Sequence, residues 1–211
     1  MPGDVSTPKE LGDLRQALLD AAVRVLHDQG AARLTLRRVA DAAQTSTMGI
    51  YTCFGGRTGL LAAIYQRAFL ALRDRLTAAL DGHSDPLARI RALASGYREF
   101  ALEDPARYAL MFERPLPDFD PSPQLRRDAL ALNFSLLTDA TSAAIEARLI
   151  ISDDPVRTAY LLWTTMHGIV SIELTHALRS PLPGWFLDSR AAGERVLADG
   201  VNALLTGLAH P

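Results

Sequence analysis

Residues 45–61 read TSTMGIYTCFGGRTGLL, with Arg57 the only charge among hydroxyls, a tyrosine, a thioether and glycines. Such side chains suit a groove walled by phosphates. Hydroxyls bond phosphate oxygens, Gly and Thr allow close approach, and thioether or methyl groups touch thymine methyls. If Thr47 to Phe54 is helical, a step of about 100° per residue puts Ile50 and Phe54 on one side, toward Val39 and Leu60. Met48 and Thr52 then point nearly opposite, flanked by Tyr51 and Gly49. An outward face of Met, Thr, Gly and Tyr has no purpose in a core. The alternative is an ordinary small polar surface turn of a helical bundle.

The surrounding pattern supplies elements to hold that helix. From Asp13, Leu14, Leu18, Ala22, Val25 and Leu26 recur three and four apart until Gly30 ends the run. In LTLRRVADAA, Thr35 is expected to be the N-cap, with Leu36, Val39, Ala40 and Ala43 buried. After the break QTS comes the short helix, and a fourth helix starts near Arg57 and runs to about Leu80, burying Leu60, Leu61, Ile64, Ala68 and Leu72. A helix, a three-residue break and a second short helix is the helix-turn-helix arrangement, whose second helix enters the major groove. Downstream, Asp85–Pro86, Asp104–Pro105 and Asp154–Pro155 each open a helix with Pro in its first turn. A long helix is expected from about Ser122 to Ile151, another from Asp154 to about Arg179, and a last one from about Arg190 to Leu208. RPLPDFDPSP and SPLPGWFLDS read as loops, the first as a mobile one. The expected fold class is all-α.

Composition narrows the function. The net charge of −2 is unevenly spread, positive over residues 10–76 and negative from 77 onward, as a polyanion-facing N-terminal part would require. Cys53 is the only cysteine, so no intrachain disulfide is possible. The N-terminus lacks a basic-then-apolar signal segment, and no apolar run reaches the roughly 18 residues of a spanning helix. A cytoplasmic location is expected, with no membrane partner. No glycine-rich phosphate loop, paired metal ligands or nucleophile elbow is present, so no catalytic residue, cofactor or metal is expected. The alternatives are a small helical enzyme built around His167 and Glu173, or a helical dimeric protein-interaction module.

LLDAAVRVLHDQG, LTLRRVADAA and STMGIYTCFGGRTGLL together resemble the N-terminal domain of the TetR family of bacterial one-component regulators. WTTMHG, with Trp163, His167 and Gly168, looks like the signature of a subset whose C-terminal domain carries Trp, His and Gly. The resemblance implies a flexible arm over residues 1–12, a helix-turn-helix DNA-binding domain over 13–60, and an effector-binding and dimerisation domain over 61–211. It implies Thr35 and Arg37 at the start of the second helix, with Arg37 reaching a base edge or phosphate. Thr47, Met48 and Gly49 would lie in the groove, Tyr51 would bond a phosphate, and Arg57 would clamp another. Gln44 stands where a turn glycine is usual and is expected to adopt a left-handed conformation. Thr45 replaces an aliphatic, Cys53 a frequent His, and Arg57 a Lys. Between Thr47 and Phe54 there is no Arg, Lys, Asn or Gln for a bidentate base contact. Discrimination must then lean on Arg37, Arg38, Gln44, methyl contacts including Thr52, and duplex shape.

The rest of the chain reads as partner- and ligand-facing. Val156, Tyr160, Trp163, His167, Val170 and Leu174 form one stripe, and Leu161, Thr165, Ile169 and Ile172 a second, so that helix is expected to be buried on more than one face. Gly193, Gly200 and Gly207 recur every seven residues, a spacing that suits close approach of a symmetry-related helix. The resemblance implies a homodimer through the last two helices, reading a palindromic operator. Tyr97, Phe100, Tyr108, Met111, Phe134, Trp163, Met166 and His167 are core residues by default. The polar tips of Tyr97, Tyr108, Trp163 and His167 would also serve a mostly apolar cavity for a small-molecule effector. By resemblance, effector binding would move the fourth helix and change the spacing of the two DNA heads, a repressor mechanism by population shift.

Overall fold

The computed structural model describes residues 7–176 and 189–209. These residues form nine α-helices and a short 3-10 turn, with no strand among them. The helices are α1 (Pro8–Gln29), α2 (Leu36–Ala42), α3 (Thr47–Phe54), α4 (Arg57–Ala79), α5 (Pro86–Glu103), α6 (Pro105–Phe112), α7 (Pro123–Glu146), α8 (Pro155–His176) and α9 (Arg190–Ala209). The 3-10 turn, Ala31–Arg33, links α1 to α2.

Two boundaries differ from the periodicity. α1 begins at Pro8 rather than Asp13 because Thr7 and Glu10 close a capping box, each side chain accepting from the other's backbone amide at 3.3 and 2.6 Å. α7 stops at Glu146 rather than near Ile151. Arg148 turns left-handed at φ 57°, and the amides of Leu149 and Ile150 both return to the Ala144 carbonyl. The expected end of α8 at Arg179 and most of the following loop lie outside the described residues.

The chain forms two compact units, Met1–Phe69 with Asp104–Arg127, and Leu70–Glu103 with Asp128–Pro211. In the first, α1 packs on α2, α3 and α6. Leu18, Ala22, Val25, Leu26, Val39, Ala40, Ile50, Leu60, Leu61 and Ile64 are all buried there, as the helical spacing requires, whereas Leu14, Leu36 and Ala43, expected on the same faces, are only half-buried at their edges. A ring cluster completes this core: Tyr65 meets Phe69 at 4.9 Å and Phe119 at 6.1 Å, and Phe112 meets Phe69 at 5.7 Å and Tyr108 at 4.9 Å. The proline-rich segment after α6, expected to be mobile, is anchored instead. Leu116, Phe119 and Pro121 are buried, and Asp120 pairs with Arg114 and Arg126.

In the second unit, α5, α8 and α9 pack on one another. The buried side of α8 is Thr158, Ala159, Leu162, Met166, Val170 and Glu173, a stripe rotated from both expected ones. Val156, Tyr160, Leu161 and Ile172 are exposed instead, so α8 is apolar on two faces within this unit. The glycine spacing on α9 has a different partner from the one expected. A Cβ at Gly193 would lie 2.2 Å from Glu173 Oε1 and one at Gly200 2.7 Å from Ile169 Cδ1, whereas Gly207 meets nothing within 4 Å. Two of the three glycines therefore admit α8 of the same chain, not a symmetry-related helix. Glu173 itself is buried and takes two hydrogen bonds from buried Arg98, Nε to Oε2 at 2.7 Å and Nη2 to Oε1 at 2.6 Å. Nη2 of Arg98 also donates to the Arg190 carbonyl at the start of α9. One ion pair thus ties three helices.

Candidate nucleic-acid interface

Thr35 caps α2, its hydroxyl accepting from the Arg38 amide at 3.3 Å. The helix ends in a Schellman turn: the Thr45 amide donates to the Ala40 carbonyl at 3.0 Å and the Gln44 amide to the Asp41 carbonyl at 3.1 Å. That motif places its C′ residue in the left-handed region, and Gln44 has φ 54°. The turn that aims α3 is therefore strained at a non-glycine side chain. Gln44→Gly is expected to raise the unfolding free energy by roughly 0.5–1 kcal/mol, the relief of the left-handed strain less glycine's entropy. Urea unfolding would register it as a higher midpoint at unchanged slope; an unchanged or lower midpoint would show that Gln44 makes a compensating contact.

On α3, Thr47, Met48, Tyr51 and Thr52 are exposed, Met48 at 68% and Tyr51 at 56%, while Ile50 is fully buried. The division of faces is the expected one with one correction. Gly49 is buried, and a Cβ there would touch Leu14 Cδ2 and Thr45 Oγ1 at 3.5 Å. Beside Cys53 on the helical wheel, it lies against Leu14 and Leu18 of α1 and does not belong to the outward face. Phe54 is half-buried and carries the Arg15 guanidinium 4.8 Å above its ring. The Thr52 hydroxyl donates to the Met48 carbonyl at 3.0 Å, leaving its lone pairs outward. Cys53 lies beside the Leu11 carbonyl, and burial pushes its thiol above the ordinary value, so it stays protonated.

The arginines differ in freedom. Arg37 is 90% exposed and only loosely near Asp41, at 4.0 Å. Arg38 donates from Nη1 to Gln29 Oε1 at 2.6 Å, which ties it to the end of α1. Arg57, expected as a phosphate clamp, is two-thirds buried. It donates from Nη1 to the Leu34 carbonyl at 2.6 Å and from Nε to Asp118 Oδ2 at 2.6 Å. The Asp118 contact had no signal in the sequence beyond an acid in a proline-rich loop. Two glycines shape the corner after α3: Gly55 is left-handed at φ 70°, and Gly56, at φ 111°, lies under the Tyr51 ring.

The candidate effector residues fall into both compact units. Tyr108 and Met111 belong to the first and are buried; Tyr97, Phe100, Phe134, Trp163, Met166 and His167 belong to the second. In the second unit the Tyr97 hydroxyl and His167 Nδ1 lie 2.8 Å apart. The Trp163 ring stands 5.4 Å from His167 and 5.7 Å from Tyr160. Burial holds His167 below its ordinary value, so at neutral pH it is an uncharged donor–acceptor. Glu173, the other half of the alternative hydrolytic pair, gives both carboxylate oxygens to Arg98. A separate cavity of about 120 Å³, lined by Arg91, Ser95, Arg98, Glu194 and Asn202 among others, involves none of the eight candidates.

Residues 18–64 match the family described as bacterial regulatory proteins, tetR family, and residues 90–199 match the tetracyclin repressor-like C-terminal domain. The HTH-type transcriptional regulator BetI of Rhizobium meliloti is 37% identical over 79 residues, 37% of this chain and 39% of BetI. The chain thus spans less than two thirds of the length of that relative. An HTH-type transcriptional regulator of Mycobacterium tuberculosis is 26% identical over 187 residues, 74% of this chain and 79% of that protein. A solved structure of a protein with unknown function from Rhodococcus sp. RHA1 superposes over the whole of both chains with a TM-score of 0.76 and 26% identity. With the C-terminal match covering more than half of its residues, and the helix-turn-helix match lying on α2 and α3, the chain belongs to the TetR family of bacterial regulatory proteins.

Proposed function

We propose that the protein is a ligand-responsive, one-component transcriptional regulator, a repressor released from a palindromic operator by a small, mostly apolar effector. The observation that carries this reading is the division of α3, with Met48, Tyr51 and Thr52 turned to solvent while Ile50 anchors the helix. In this reading residues 13–60 act as the DNA-binding domain and residues 61–211 as the effector-binding and dimerisation part. Thr35, Arg37, Arg38, Gln44, Thr47, Met48, Tyr51, Thr52 and Arg57 face the duplex, with Gly49 supporting them from behind. In the same reading the chain is a member of the Trp-His-Gly subset, which the sequence WTTMHG, with Trp163, His167 and Gly168, supports. Tyr97, with Trp163 and His167, offers the effector a polar contact in apolar surroundings. Homodimerisation through α8 and α9 is supported by the exposed Val156, Tyr160, Leu161 and Ile172. No helix among the described residues is long and apolar enough to cross a membrane, and in this reading the regulator acts in the cytoplasm.

The test is binding to duplexes with randomised operator positions. Arg37→Ala should lose about tenfold at the preferred sequence and little elsewhere, because a base-edge contact contributes discrimination. Tyr51→Phe should lose roughly fivefold at every sequence, the worth of one phosphate hydrogen bond. Uniform loss for Arg37→Ala would remove its base-reading role, and failure of the wild type to bind any duplex would remove the regulator reading.

A further inference from the structure

Arg57, the first residue of α4, joins two segments that are distant in the chain. Its Nη1 donates to the carbonyl of Leu34 at 2.6 Å; Nε and Nη2 donate to Asp118 Oδ2 and Oδ1 at 2.6 and 3.4 Å. Leu34 is buried and immediately precedes Thr35, the cap of the helix that carries Arg37 and Arg38. Asp118 lies between α6 and α7 in the segment anchored by Leu116, Phe119 and Pro121. The Arg57 guanidinium holds the Asp118 carboxyl below the ordinary carboxylate range, so the pair is ionised at neutral pH. A guanidinium has five N–H donors, so this arrangement leaves one on each terminal nitrogen free to meet a phosphate.

We propose that Asp118 is a positioning residue for DNA binding. It fixes the Arg57 side chain, and through the Leu34 carbonyl Arg57 fixes the start of α2 while keeping its remaining donors aimed at the duplex backbone. This inference rests on the reading of α2 and α3 as DNA-contacting elements. It opposes a simpler electrostatic expectation. An aspartate beside a DNA-binding surface repels phosphates and competes for the arginine, so its removal should tighten binding. Positioning reverses the sign, because a guanidinium released from its carboxylate samples other rotamers and no longer holds the Leu34 carbonyl.

The probe is a duplex selected by the wild-type protein from a random-sequence pool. Asp118→Asn should weaken its binding about tenfold, the size of a coupling within one hydrogen-bonded network. Asp120→Asn removes the same charge from the same segment but touches Arg114 and Arg126 instead. It should stay within about twofold of wild type, since surface charge pairs of this kind contribute little. Amide hydrogen exchange supplies a readout without DNA. The amides of Arg38 and Val39, which bond the Thr35 hydroxyl and carbonyl, should exchange faster in Asp118→Asn and not in Asp120→Asn. Unchanged or tighter binding by Asp118→Asn, an equal loss in Asp120→Asn, or unaltered exchange at Arg38 and Val39 would each overturn the proposal. If the wild type selected no duplex, the DNA reading itself would fall, and the exchange comparison would still decide whether Asp118 holds α2.

Discussion

Replacing Glu173 with Ala is expected to lower the unfolding free energy by about 3–5 kcal/mol, because it strands a buried guanidinium. Arg98 and Glu173 are 3% and 4% exposed, and they share two hydrogen bonds in fork geometry. With its partner gone, Arg98 would keep only the Arg190 carbonyl among its described contacts, and the cavity that it lines is small. The backbone of Gly193 closes over the carboxylate so tightly that even a methyl group would stand 2.2 Å from Oε1. A loss of this size is a large share of the 5–15 kcal/mol typical of a domain, so the helices α5, α8 and α9 should come apart first on heating. The paired replacement Arg98→Met with Glu173→Leu should recover most of the loss, since apolar side chains of similar volume often match a buried ion pair. Thermal and urea unfolding of the single and double variants measure both effects. A cost below about 1 kcal/mol for Glu173→Ala would mean that the pair is hydrated and is not the tie described here.

In the proposed reading, Gly59→Ala should disable the end of the molecule that meets DNA. A Cβ on Gly59 would sit 1.8 Å from the Phe54 carbonyl oxygen and 2.9 Å from its carbon. The obstacle is backbone, so no rotamer change relieves it, and the corner between α3 and α4 must open. Overpacking of this severity belongs at or above the upper end of the usual 1–3 kcal/mol. A displaced α3 should then lose roughly 100-fold in duplex affinity, the factor that corresponds to about 3 kcal/mol. Gly12→Ala is the matched control. It also lies inside a helix, but its Cβ would meet nothing within 4 Å, so the same substitution should stabilise by up to about 1 kcal/mol. If Gly59→Ala bound duplex as well as Gly12→Ala does, the corner would be more compliant than its geometry indicates.

Much of this architecture was legible as pattern. Spacings of three and four located the buried faces of α1 and α4 and the centre of that of α2, and the Asp–Pro pairs at 85–86, 104–105 and 154–155 marked helix starts, because local physics largely determines both. The outward set Met48, Tyr51 and Thr52 followed from helix geometry once Ile50 was taken as the anchor. What escaped were features that depend on a partner far along the chain. Arg98 and Glu173 look like ordinary polar members of amphipathic helices, and nothing local says that they meet. Gly193 and Gly200 signalled a close approach correctly, but a period of seven cannot tell a neighbouring helix of the same chain from one of another. Gly49 is expected outward, beside Thr52, because small residues suit a groove; they suit a tight helix crossing equally well, and α1 occupies that side. Asp118 was hidden in a proline-rich stretch whose composition suggested motion, whereas Leu116, Phe119 and Pro121 pin it down.

The closure of the first core by α6 and Phe119 has a consequence for how the protein is made. The side chains that seal Tyr65 and Phe69 leave the ribosome well after the helix-turn-helix does. A nascent chain therefore emerges with its reading helix present but its scaffold unsealed, and the head completes its packing only when residues up to about Arg127 have been synthesised. Truncation before that point would leave an aromatic surface open to water, so the shortest fragment able to fold as this unit must extend past the proline-rich segment after α6 rather than stop after α4.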